Sequence, residues 1–200
     1  DWGWSRADCI DYIREALGVT WRKSACAFCP FACNKQAAAE LAVRQAEQPE
    51  QVAAALELEY VAMAMNPRGT LYRGTSLHKL VVASANFAAL QALNARLAAR
   101  RWGVYRVRRI YTGPGKAHRC VERMMAFGSR EAALAALPPG AVDQAAGHAY
   151  VYRARRLGKG AGREEFYTVA PAYVIDKARY GVPKFDLQWA AAPAAGKKAA

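Results

Sequence analysis

The sequence predicts an α+β fold: an N-terminal helical region with a cysteine cluster, followed by a small antiparallel-sheet unit in the order ββαββ. Three observations carry this expectation. Up to residue 102, apolar residues recur at three- and four-residue spacing, as on one face of a helix. Beyond it, runs of β-branched and aromatic residues alternate and are punctuated by Gly and Pro. Between the first two helical segments, three of the five cysteines crowd into residues 26–33. The chain therefore divides into a helical region at 1–102, a basic α+β domain at 103–189 and a small-residue tail at 190–200 expected to be disordered.

In the helical region, Ser5 with Asp8 forms a capping-box pattern before Ile10, Ile13 and Leu17, predicting a helix over 6–17 that stops at Gly18. A second helix is expected over 30–47, with Pro30 at a first-turn position where its missing N–H costs nothing. Pro49 opens a third, with an apolar face of Val52, Ala55, Leu56, Ala62, Met63 and Met65, ending near Asn66-Pro67. After a basic, Gly-punctuated loop, Ser76 caps a long fourth helix that the stripe Leu80, Ala83, Phe87, Leu90 and Leu97 carries to Trp102-Gly103.

Residues 104–112 read as a strand with Tyr105, Val107, Arg109 and Tyr111 on one face and Arg106, Arg108 and Ile110 on the other. A turn at Gly113-Pro114-Gly115 leads to a strand over 117–127. A short helix over 129–137 follows, then a hairpin of 148–157 with 164–174.

Lysine and arginine number 29 against 16 acids, a net charge of +13 that favours anionic partners. Ten of those cations lie between Arg96 and Arg130 with Glu122 as the single acid among them, and a second run spans Arg153, Arg155, Arg156, Lys159 and Arg163. No apolar run approaches the roughly 18 residues of a membrane span, and no signal-peptide layout opens the chain, so a cytoplasmic protein is expected. The start at Asp1, without an initiator methionine, reads as the middle of a longer protein.

Cys26, Cys29 and Cys33 form C-x2-C-x3-C, with Cys9 upstream across sixteen intervening residues. In a reducing compartment such clustering points to metal ligands or redox groups before structural disulfides. Partial positive charge at the start of the second helix, with Arg22, Lys23 and Lys35 nearby, would stabilise thiolates there. Four thiols suit a tetrahedral zinc site or a [4Fe–4S] cluster equally by count. Two alternatives stay open. A thioredoxin-like dithiol would leave Cys9 and Cys33 idle, and the cysteines could instead be small buried hydrophobes, the expected role of Cys120.

The segments DWGWSRADCIDYI and GVTWRKSACAFCPF resemble the phosphoadenosine-phosphosulfate reductase-like proteins of the adenine nucleotide alpha-hydrolase superfamily, which include relatives of DNA phosphorothioation sulfurtransferases. The resemblance rests on Gly3, Trp4, Arg6, Cys9, Lys23, Ser24, Cys26, Cys29, Pro30 and Phe31, and fades after about residue 36. It implies a cluster site placed after a nucleotide-binding domain whose S-G-G-x-D-S type loop cradles phosphate or sulfate. No such segment occurs in the 200 residues, and Gly113-Pro114-Gly115-Lys116 is no substitute for it. The expectation is thus the C-terminal part of a reductase- or sulfurtransferase-like protein. Cys9, Cys26, Cys29 and Cys33 would hold the cluster or zinc, and the adenine nucleotide or sulfur-bearing substrate would be handled by an absent N-terminal domain.

The competing expectation is a zinc-stabilised nucleic-acid-binding module without catalysis. In it Arg106, Arg108, Arg153 and Arg155 contact phosphates while Tyr150 and Tyr152 either stack on bases or pack the core. His78, His118 and His148 are isolated in sequence and are expected at the surface or at caps.

Overall fold

A computed structural model describes residues 3–19, 26–29, 38–113, 116–145, 147–155, 161–174 and 182–192. Its helices are α1 (Arg6–Leu17), α2 (Ala38–Glu47), α3 (Pro49–Met65), α4 (Leu77–Ala83), α5 (Phe87–Ala98), α6 (Arg130–Ala135) and α7 (Val182–Ala191). Its strands are β1 (Trp102–Gly113), β2 (Lys116–Phe127), β3 (Val142–Ala145), β4 (His148–Ala154) and β5 (Gly162–Pro171). Helices α1 to α5 precede the strands, α6 lies between β2 and β3 and α7 follows β5; the strands form one antiparallel sheet in the order β2-β1-β5-β4-β3, an α+β fold.

The capping box of α1 forms as the sequence predicts. The Asp8 N–H donates to Ser5 Oγ at 3.3 Å, and the Ser5 N–H donates to Asp8 Oδ2 at 2.7 Å. Gly18 closes the helix in a left-handed conformation. None of the residues of α1 is buried. The first part of the expected second helix, residues 30–37, lies outside the described residues, and α2 begins at Ala38.

Helix α3 is the centre of the helical layer. Val52, Ala53, Leu56 and Ala64 are each at most 1 % exposed, and the small alanines let α5 approach closely. Full burial of a side chain such as Leu56 is worth about 1.5–3 kcal/mol. The expected long fourth helix is instead two helices. Ser84 ends α4, Ala85 takes a positive φ of 51°, and Asn86 caps α5 by accepting the Ala89 N–H at 3.1 Å. The Asn86 side chain also donates to the Gln45 carbonyl at 2.8 Å, so the break ties α5 back to α2.

Helices cover β1 on both faces of the sheet. Tyr105 and Val107 pack with Phe166, Tyr150 and Val121 against Ala64 and Met65 at the end of α3. On the other face, Trp102 and Val104 meet Ala133 of α6, and Ile110 meets Phe185 and Trp189 of α7. Strand β3 and helix α7 have no counterpart in the sequence reading. The β1–β2 register slips between Val104 and Tyr105, a bulge that places Met124 outside the pairing, and again between Tyr111 and Gly113. Of the expected disordered tail, residues 190 and 191 belong to α7, and 193–200 lie outside the described residues.

Candidate functional site

Cys26 and Cys29 flank a tight turn in which the Cys29 N–H donates to the Cys26 carbonyl at 3.1 Å. The turn is held by its middle residues. Ala27 is fully buried in the helical core with Val52, Leu56 and Leu77, and Phe28 packs against the same cluster. Because Ala27 and Phe28 take the inward positions, the two cysteines are left outside: Cys26 is exposed and Cys29 half-buried. Neither behaves as a small buried hydrophobe.

Cys9 is exposed in the first turn of α1. Cys33, with Lys23, Ser24, Pro30 and Phe31 of the same motif, lies outside the described residues. Among the described residues, no three His, Cys, Asp or Glu side chains converge, so Cys9 does not complete a group with Cys26 and Cys29. The described part of the site is a two-thiol turn, which fits half of a tetrahedral thiolate set.

Cys120 is the contrasting case. It is 4 % exposed, beneath Arg108 and beside Phe185, and burial pushes its thiol pKa up against the pull of the Arg108 guanidinium. This is the structural role expected of it.

The four arginines proposed for phosphate contact are placed unequally. Arg106 donates to Glu165 at 2.6 Å and lies 3.8 Å from Glu122. Burial lowers its pKa, but Glu165, Tyr167 and Glu122 together hold it above the ordinary value. Arg108 is only 7 % exposed. It pairs with Asp186 of α7 at 2.7 Å and lies over the rings of Phe185 and Trp189. Both are therefore engaged within the fold. Arg153 and Arg155 are exposed; Arg155 pairs with Asp143 at 2.9 Å and lies over the Tyr152 ring. Tyr150 is 1 % exposed, its hydroxyl donating to the Met63 carbonyl at 2.7 Å, so it packs the core.

Three buried charged clusters were not legible in the sequence. Glu57 accepts hydrogen bonds from Arg96 at 2.9 Å, Arg100 at 2.7 Å and the Tyr173 hydroxyl at 3.0 Å. Burial raises its pKa, yet these donors together hold it below the ordinary value. Glu59, two residues on and on the other side of α3, accepts the backbone N–H groups of Leu71 and Leu77 at 2.8 Å and of His78 at 3.0 Å. Arg109 is 2 % exposed, pairs with Glu164 at 2.8 Å and donates to the Met65 carbonyl.

His148, expected at the surface, is 2 % exposed, its ring 4.1 Å from that of Tyr60. The correction has a simple cause: β3 pairs with β4 and carries His148 in against α3. Burial, and then the nearby charges of Arg130 and His78, push its pKa down from 6.5 to about 4, so the ring is neutral at pH 7. Its Nδ1 is buried without a hydrogen-bond partner among the described residues.

Comparison with protein-family models, curated proteins and solved structures finds no match to this chain. Its own residues carry the functional argument. Among the described residues no helix is long and apolar enough to cross a membrane.

Proposed function

We propose that this chain is the cysteine-bearing part of a phosphoadenosine-phosphosulfate reductase-like or sulfurtransferase-like protein, in which Cys26 and Cys29, with Cys33, hold a [4Fe–4S] cluster or zinc; Cys9, which does not converge on Cys26 and Cys29, is not assigned as a ligand. The observation that supports this most is the anchored C-A-F-C turn. Its apolar middle is fixed in the helical core while both thiols are left free to bind. Such a turn preorganises two soft ligands, and soft thiolates select zinc or iron–sulfur centres over hard cations.

The bound group, net negative once thiolates ligate it, would supply a fixed centre that orders the segments around it, and an anionic, sulfur-bearing substrate would be held by neighbouring cations. The chain's residues have narrower tasks. Ala27 and Phe28 fix the turn, and Cys26 and Cys29 give up their protons to become ligands. Catalysis on a nucleotide is assigned to no residue here, because the phosphate loop of the resembled proteins has no counterpart in the sequence.

Anaerobic purification followed by visible spectroscopy and elemental analysis tests the proposal. The expected result is either iron–sulfur absorbance with iron, or stoichiometric zinc, lowered in both Cys26→Ser and Cys29→Ser. Protein that holds neither iron nor zinc overturns it.

A further inference from the structure

A cavity of about 360 Å³ lies between α3, α5, the start of α4 and the turn from β3 into β4. Its walls are apolar, with Leu56, Met63, Leu93 and Leu97 on the helices. Tyr60 and His148 form an aromatic side, and the volume falls in the range of small-molecule sites. A second hollow of about 550 Å³, bounded by Trp102 and Arg130, shares Tyr60, Asn94, Leu97 and Gly147 with the first.

The polar groups around this space are unequal in sign. Glu59 lines the cavity, but its two carboxylate oxygens are taken by the N–H groups of Leu71, Leu77 and His78. That same contact fixes the backbone that presents His78 and Lys79, both exposed, at the rim. Arg130, held by the Gly147 carbonyl at 2.9 Å, adds a third basic group beside the shared wall, and Glu131 is the acid of the adjoining hollow. His148 contributes a ring whose Nδ1 has no hydrogen-bond partner among the described residues.

We propose that this cavity binds a small aromatic anion, with its ring between Tyr60, Leu93 and Leu97 and against His148, and its charged group at Lys79 and His78. The apolar walls favour the ring, the basic rim selects the charge, and the site is independent of the cysteines.

The test uses the full chain with 2-naphthoate as probe and 2-naphthamide as its neutral counterpart, followed by calorimetry and by amide NMR. The expected result is naphthoate binding about tenfold tighter than naphthamide, the advantage of one charge-assisted contact. The shifts should centre on Asn94, Gly147 and His148. Lys79→Gln, at an exposed position, should remove most of that advantage and leave naphthamide binding unchanged. Asn94→Trp, also exposed, should fill the space and abolish binding of both, and Cys26→Ser should change neither. Equal affinity for the two probes, no binding of naphthoate, or shifts confined to other parts of the molecule would each overturn the proposal.

Discussion

Cysteine and arginine are used in opposite ways by the helical layer and by the sheet. In the turn before α2, Ala27 and Phe28 face the core and leave Cys26 and Cys29 accessible. In the sheet, β2 places Cys120 under Arg108, and α7 closes over both through Asp186, Phe185 and Trp189. Residue types that signal chemistry in a sequence are thus available in one region and consumed by packing in the other. What separates them is whether a later element covers the position. Ionisable groups in the sheet should therefore act on stability, and thiols in the turn on reactivity.

The largest effect should come from breaking the sheet's buried ion pair. Glu164→Gln leaves Arg109 charged and 2 % exposed, without a carboxylate partner among the described residues and held by the Met65 carbonyl and the Phe166 ring, and should cost about 3–5 kcal/mol in urea unfolding. A loss under about 1 kcal/mol would mean that the pair is not shielded from water.

Alkylation of metal-free native protein sharpens the contrast directly. Cys26 and Cys29 should react with iodoacetamide about a hundredfold faster than Cys120, which is both covered and poor in thiolate. Mass spectrometry of the peptides would read the three rates separately, and similar rates would erase the distinction.

A smaller effect belongs to the boundary between the two regions, where His148 meets Tyr60. The imidazole binds a proton near 6.5 when free and near 4 when buried, so between those values the unfolded chain holds the extra proton. Stability should therefore fall as pH drops, by about 2 kcal/mol between pH 7 and pH 4.5. Glu57, with its depressed pKa, loses its contribution only at lower pH, as its carboxylate is protonated. His148→Phe should flatten the profile in that window; an unchanged slope would show that His148 is not the group responsible.

Much of the fold was legible because periodicity and punctuation agreed. The Ser5–Asp8 box, Pro49 and the alternation in β1 each specify a local geometry that no distant contact overrides. The break at Ser84–Asn86 was hidden because Leu80, Ala83, Phe87 and Leu90 keep helical spacing across it. Asn86, a strong cap residue, was the available signal. Missing α7 had a wider consequence. Without that cover the alternating pattern leaves Arg108 on an open polar face, and the same arginine reads as a phosphate contact. His148 was misplaced for a similar reason, since β3 is only four residues long and gives no period to count. The accessibility of Cys26 and Cys29 follows from Ala27 and Phe28, whose inward direction depends on α3 and α4 and cannot be read from spacing alone.

The C-A-F-C turn also bears on the order of assembly. Small zinc-knuckle proteins collapse only when metal arrives, so their cores and their metal sites form together. Here the turn is pinned by Ala27 in the same cluster that packs α3, α4 and α5. A ligand arriving at the two thiols would find its seat already built, and loading would be a separate, later event, reversible without dismantling the helical layer.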